Sequence, residues 1–411
     1  MRRSLFHGLA LCCALLVVTQ RSQAADSPDG FAKDVTGGAG AVAVHPATLD
    51  ELTRALCSAV DARGSCKDDT PRVIVLDHTF DFRASVLVNG SATTTETGCM
   101  VKACPNGGAQ LALNGANGFC QSRPPVSVTY DNAGLKRLKI GSNKTLQGAG
   151  NHAGIQGMGL FIGGGVHNVI VRNLTLSDIN AQVVWGGDAL TIDDADGVWI
   201  HHNTFARIGR QMIVTGWGAA SHVTVSDNEF DGRTPWSSTC DGHHYWVWLF
   251  LGGHDTLTLA RNYVHDTSGR APHAGGMHDA AVIAQLVNNV FARLTYQGAI
   301  MSRTPSSHLL VEANGFENVT HPLFNDARQP GTGFALFSAA AATSVSDECQ
   351  RTIGRPCVAN LQQSSGDDYR PQDEAVLKAF VPYRQYLVTP LPADVALTRI
   401  PQQAGAGKDQ Y

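Results

Sequence analysis

The sequence predicts an all-β chain wound as a single-stranded right-handed parallel β-helix, with an N-terminal capping helix and an irregular C-terminal cap. Three observations lead there. Glycine is abundant, with 43 in 411 residues, while helical Ala/Glu/Lys/Leu runs are scarce. Seven short segments of one pattern (KIGSN, VIVRN, WIHHN, VTVSDN, LTLARN, AQLVNN and LLVEAN) end at Asn143, Asn173, Asn203, Asn228, Asn262, Asn289 and Asn314. Their flanks repeat too. An aliphatic stands three residues before each asparagine (Ile140, Ile170, Ile200, Val225, Leu259, Leu286, Val311), and Phe205, Phe230, Val264, Phe291 and Phe316 follow two residues after. A repeat of this length reads as one rung of short strands whose alternate side chains enter a continuous core. Asparagine suits a recurring bend, because it tolerates left-handed backbone and its amide bonds neighbours up and down the stack.

The elements follow in chain order. Arg2 and Arg3, the apolar run Leu9 to Val18 and the small-x-small site Ser22-Gln23-Ala24 read as a secretory signal peptide over 1–24. That predicts a secreted, extracellular protein, and no later segment is apolar enough to span a membrane. The mature chain, 25–411, reads as one β-helix domain. Thr48 with Glu51 is a capping box, and Leu52, Leu56, Ala59 and Val60 recur at helical spacing, so 47–62 is a helix plugging the coil. RVIVLDHTFDF, 72–82, is the first strand. DEAVLKAF, 373–380, is a short helix within a cap of about 325–411.

Charge and cysteines bound the function. The formal charge is −4, and losing Arg2, Arg3 and Arg21 with the signal makes the chain more acidic still. Such a chain has no general attraction for nucleic acid. Cys57, Cys66, Cys99, Cys104, Cys120, Cys240, Cys349 and Cys357 remain after cleavage, an even count that points to disulfides in a secreted protein. No zinc spacing is present. Cys57/Cys66 and Cys349/Cys357 are natural local bridges; spacing leaves the connectivity open.

A solenoid groove suits a polymer, and three clusters could equip it: WGGDALTIDD (185–194), ARIGRQMIV (206–214) and the stretch from CDGHHYWVW (240–248) to HDTSGRAP (265–272). Rungs of this length can stack Asp188, Arg210 and Arg270 on one face. Arg207 and Arg210 are notable as cations in a mostly apolar segment, where an unpaired charge is expensive.

These segments resemble pectin lyase, within the pectate lyase family of parallel β-helix enzymes. The likeness runs through VSVTYDNAG, SNKTLQGAG, WGGDALTIDD, VWIHH, ARIGRQ, TCDGHHYW, ARNYVHDTSGRAP and EANGFENV, firmly over 126–320 and more loosely over 47–360. The resemblance implies endo-cleavage of methyl-esterified galacturonan by β-elimination, with pectin as partner and no metal. Pectate lyases of the family hold calcium with carboxylates. Here Asp188 matches one such aspartate, but Arg210 stands where further acids would follow, and calcium needs several oxygen ligands. The resemblance assigns Arg270 as the base, Arg210 as the cation facing the ester carbonyl, and Asp188 as its partner. Trp185 and Trp246 match groove tryptophans, with Trp248 and Trp217 nearby. His243 and His244 line the groove or orient backbone, and Arg207 is a groove-edge cation within reach of substrate and of an ion-pair partner. Trp199 reads as core, and Asp193, Asp194 and Asp196 as turn residues.

The resemblance also implies Cys99–Cys120 and Cys104–Cys240. The chain departs from the family at His201, where an aspartate is expected, and in the cysteine loop, which lacks tryptophan. Asn89, Asn143, Asn173 and Asn318 are glycosylation sequons; Asn89 is the expected acceptor, because Asn143 and Asn173 are expected within the ladder. The expected state is a monomer. The alternatives are a calcium-dependent pectate lyase and a non-catalytic pectin-binding β-helix.

Overall fold

The computed structural model describes residues 27–113, 118–276, 279–324, 334–366 and 369–408. The signal segment 1–24 lies outside them. Short strands stack in parallel along a coil, which is the expected parallel β-helix. One sheet of 9 strands runs from Thr79–Asp81 through Thr204–Ile208 to Leu361–Gln363. A second, of 15 strands, covers two further faces. They merge through two long strands, Gly159–Arg172 and Leu190–His201. From Leu190–Ile192 the second face continues through Ile213–Thr215, Trp248–Phe250, His273–Ala274 and Met301–Ser302. That face carries the candidate site. A smaller sheet of 4 strands is built from Thr93–Met100, Leu111–Leu113, Pro125–Asp131 and Val183–Val184 and walls one side of it.

The interior is filled by like residues one rung apart. Phe205 stacks on Phe230 at 4.8 Å and Phe291 on Phe316 at 5.1 Å, with Val264 buried between the pairs. This is the column expected from the sequence.

The asparagine ladder is real, but its register differs from the expectation. The amide N–H of Asn203 donates to Asn228 Oδ1 at 2.8 Å, and the same bond recurs to Asn262 at 3.1 Å, Asn289 at 3.0 Å, Asn314 at 2.9 Å and Asn360 at 2.9 Å. Side-chain Nδ2 groups donate along the same column. Asn173 pairs one position out, beside His202 and Asp227, because Arg172 aligns with His201 and Ser226. Asn143 sits at a different corner, beside Asn168, whose Nδ2 donates to it at 2.8 Å. The left-handed residue is therefore not the ladder asparagine but the one before it: His202, Asp227, Arg261, Asn288 and Ala313 have φ between 50° and 57°. The ladder satisfies the amides that the bend strips from the strand pairing. Among the sequons, Asn89 and Asn318 are exposed, Asn143 is half-buried and Asn173 is buried.

The caps also differ in detail. The first helix spans only Leu49–Leu56, with the capping box of Thr48 and Glu51 in place. Leu52 and Leu56 are buried, but Val60 is 59% exposed, because the chain turns after Leu56 into a loop tied by Cys57–Cys66 and by Ser58 to Asp68. The expected first strand is two, Arg72–Leu76 and Thr79–Asp81, in different sheets, and Ala43–Val44 precedes both. The C-terminal cap is more helical than expected, with Thr343–Ile353, Glu374–Ala379 and Ala393–Gln403. Cys99–Cys120, Cys104–Cys240 and Cys349–Cys357 are bridged as well as Cys57–Cys66.

Replacing a ladder amide leaves buried backbone groups unpaired, at about 1–3 kcal/mol. Asn262→Ala is therefore expected to lower the unfolding free energy by that amount. Asn143→Gly, which keeps a left-handed backbone outside the ladder, is expected to lower it by under ~1 kcal/mol. Denaturant unfolding of both variants checks the register; equal effects would contradict it.

Candidate active site

The site is assembled by rungs stacked about 4.8 Å apart. Ala189 N donates to Gln211 O, Met212 N to Trp246 O, and Trp248 N to Arg270 O. These bonds carry Asp188, Arg210, Trp246 and Arg270 onto one face, as the sequence predicts for the three charged residues.

The two arginines of ARIGR part company at Gly209. A Cβ there would lie 2.4 Å from Val183 O and 2.7 Å from Asn180 O, so the chain bends sharply against the preceding rung only because the residue is glycine. Before the bend, Arg207, next to the last residue of the strand Thr204–Ile208, grips Asp178 with two bonds, of 2.6 and 2.8 Å. It braces the neighbouring sheet, with both bonding nitrogens engaged. After the bend, Arg210 turns into the groove, with Nε 3.4 Å from Asp188 Oδ1. Its guanidinium lies 4.2 Å over the Trp185 ring. The cation is thus paired and stacked, which answers the cost of placing it in an apolar segment.

Asp188 accepts the Gln211 N–H at 2.8 Å. Burial pushes its carboxyl above the usual range, opposed by Arg210, the Gln211 bond and Arg137. Arg270 lies over the Trp246 ring at 4.7 Å and the Tyr245 ring at 5.5 Å. Burial holds its guanidinium below the ordinary arginine value; Tyr245 opposes the shift, and Arg210 and Arg303 add to it. Arg270 Nε is buried without a hydrogen-bond partner.

The tryptophans divide. Trp185 is half-buried beneath Arg210. Trp246 is only 7% exposed and donates to Gln110 Oε1 at 3.1 Å, so it forms the floor under Arg270 rather than an open platform. Trp248, expected in the groove, is a correction: it is fully buried inside the coil, packed edge-on to Phe230 at 4.9 Å. It pairs in register with the inward-facing Ile213, and strand alternation then sends it to the core. Trp217 is 73% exposed. Trp199 is buried, but on the coil's outer face under Ala32 and Val35.

Of the histidines, His243 is held in its loop by Thr295 and Asp241, and among the described residues no hydrogen bond or ion pair joins it to Asp188, Arg210 or Arg270. His244 does orient backbone: its Nε2 lies 2.8 Å from Arg210 O and 3.0 Å from Trp246 O. Burial pushes its pKa down to about 4, leaving it neutral. His201, in the place of the family's aspartate, is buried 3.0 Å from Ser226 Oγ and 3.5 Å from Asp227, and burial holds it well below the ordinary imidazole value. Asp193 accepts the Gly218 N–H at 2.7 Å and Asp196 pairs with His222 at 2.6 Å, as turn residues would.

The donor set does not suit calcium. Asp188 has Arg210 beside it and Arg137 acting on its charge, and it belongs to no group of three or more metal-ligating side chains among the described residues. Among the described residues, the groups with metal-ligand geometry are elsewhere: His201, His202 and Asp227, and Asp231, His265 and Asp266. Arg261 grips Asp227, Arg233 grips Asp231 and Arg293 grips Asp266. Sequence reasoning missed Arg137, Arg303, Tyr245 and Gln110. Arg137 lies in the basic run KRLK, a visible signal; the others follow only from the stacking register.

The chain matches a family model described as pectate lyase over residues 4–409. It is 38% identical to a probable pectin lyase F of Neosartorya fischeri over 402 residues, covering 97% of this chain and 99% of that one. A probable pectin lyase E of Aspergillus fumigatus is similar to the same extent, 38% over 402 residues with 97% and 99% covered. Among solved structures, the pectate lyase of Bacillus sp. N165 in complex with trigalacturonate superposes with a TM-score of 0.54 at 17% identity, covering 93% of this chain and 100% of that one.

Truncating the interior tryptophan removes packing between two phenylalanines. Trp248→Ala is expected to lower the unfolding free energy by ~3–5 kcal/mol. Arg207→Ala, which loses a partly exposed ion pair, is expected to lower it by at most about 1 kcal/mol. Thermal or denaturant unfolding distinguishes the interior position of Trp248 from a groove position, where the loss would be small.

Proposed function

The chain belongs to the pectate lyase family and is a polysaccharide lyase of the pectin lyase type; we propose that it cleaves methyl-esterified galacturonan by β-elimination, outside the cell and without calcium. The observation that carries the metal-free part is Arg210, 3.4 Å from Asp188, which belongs to no group of three or more metal-ligating side chains among the described residues. The fungal relatives named as probable pectin lyases support the substrate class, and trigalacturonate in the Bacillus enzyme supports a galacturonan in the groove.

The chemistry follows from the charges. Arg270, in its neutral form, takes the proton at C5, alpha to the uronate ester carbonyl. The electron pair left at C5 forms the C4–C5 double bond, and the C4–O bond breaks. The departing oxygen takes a proton, either from Arg270 or from water. Negative charge develops on the ester carbonyl oxygen, and a preorganised cation there lowers the barrier. Arg210 supplies it, held by Asp188, by stacking on Trp185, and by its carbonyl's bond with His244. Burial of Arg270 and the nearby Arg210 and Arg303 favour the neutral guanidine needed for a base. Trp185 and Trp246 hold the two guanidinium groups in place against their ring faces.

A lowered Arg270 pKa makes the active form more abundant as pH rises, so kcat is expected to climb toward alkaline pH. Arg270→Ala should abolish turnover with the fold intact. Arg270→Lys should move the rising limb to lower pH, since a lysine titrates at about 10.4, well below an arginine. Arg210→Ala should cost ~2–4 kcal/mol in transition-state stabilisation. The assay is ultraviolet absorbance of the unsaturated product, from highly methylated pectin and from polygalacturonate, each with chelator and with calcium. Signal only on polygalacturonate with calcium would overturn the metal-free reading.

A further inference from the structure

The cations of the groove outnumber their partners. Of Lys139, Arg137, Arg210, Arg270 and Arg303, only Arg210 has a carboxylate within ion-pair distance among the described residues. On a chain of formal charge −4, a line of unpaired cations along one face is a local inversion of sign. A fully methyl-esterified galacturonan is neutral and gives such a line no charge to pair with.

The line extends past the reacting centre. Arg137 and Lys139 lie on the strand Arg137–Ile140, which pairs with Gly159–Ile162, and these pair in turn with Leu190–Ile192 of the rung that Asp188 opens. Arg137 is exposed, rests 4.8 Å over the Phe161 ring and donates to Thr191 Oγ1 at 3.4 Å. Lys139 is half-buried and bonds the Gly64 carbonyl. The strand itself lies three rungs from that of Arg210, but the Arg137 side chain crosses to Thr191, whose strand pairs directly with Ile213–Thr215. A cavity of about 350 Å³ opens beside the pair, between the groove and the first helix. Leu49, Phe82 and Met158 give it apolar walls, and Asp50 is the one carboxylate residue that lines it.

Resting on the pectin lyase reading above, we propose that Arg137 and Lys139 form a subsite for a non-esterified uronate of the same polysaccharide chain, flanking the one that is cleaved. The cations take the free carboxylate, and the apolar walls take the carbon face of the ring. The cleaved residue is then a methyl ester while a flanking one is a free acid, so the preferred substrate is partly esterified pectin.

The test is the double variant Arg137→Gln/Lys139→Gln against the wild type, on partly and on fully esterified pectin at low salt. The expected result is a KM raised about tenfold more on the partly esterified substrate than on the fully esterified one. Added salt should erase the wild-type preference, because an exposed ion pair is screened. Arg137→Lys/Lys139→Arg, which keeps both charges, should restore it; unfolding midpoints report whether the variants fold. Equal losses on both substrates, or no loss on either, would overturn the subsite. Calorimetric titration of an oligogalacturonate into the same proteins gives a readout that needs no turnover. An inactive wild type whose binding still depends on Arg137 and Lys139 would sink the lyase reading but keep the subsite. Binding unaffected by the double variant would sink the subsite, whatever the activity.

Discussion

Everything in the groove takes its place from one constraint: parallel rungs stack in register about 4.8 Å apart. Once the register is set, each side chain has a neighbour of known identity above and below. The asparagine column from Asn203 to Asn360 locks that register at a corner, where the strands would otherwise be free to slip. A one-residue slip would turn the column Phe205, Phe230, Phe291 and Phe316 out of the core. The ladder is therefore as important to the site as any residue in it.

The groove face is built on that lattice by local departures from it. Gly209 lets the chain bend tightly enough to send Arg207 and Arg210 in different directions. His244 ties the carbonyls of Arg210 and Trp246 on successive rungs, and it remains a neutral donor because it is buried. Cys104–Cys240 joins the loop after Thr93–Met100 to the loop that carries His243. Each cation then rests on an aromatic ring: Arg210 on Trp185, Arg270 on Trp246, Arg137 on Phe161. A guanidinium held flat on a ring keeps its edge free for hydrogen bonds, which is what an anionic transition state or a carboxylate requires.

The coil, the first helix with its Thr48–Glu51 box and the phenylalanine column were legible because local pattern and tertiary environment agree at those positions. The ladder was legible in kind but not in register. Asparagine fits both the left-handed position, where Asn143 and Asn173 sit, and the hydrogen-bonding position one residue on, where Asn203 begins the column. Spacing alone does not separate these roles. Trp248 was misplaced for a related reason. An indole next to Trp246 and Tyr245 in CDGHHYWVW looks like a platform, but the pairing with Ile213 sends it inward.

By itself, then, the sequence determined the coil, the family and which charged residues meet on the groove face, because repeats and ordered motifs are properties of the chain. Only the tertiary structure decided which tryptophans face the groove, that Arg207 is spent on Asp178, and that Arg137 and Lys139 continue the cationic line past Asp188. Those outcomes depend on which residue stands one rung away, and the residues in question lie tens of positions apart in the chain.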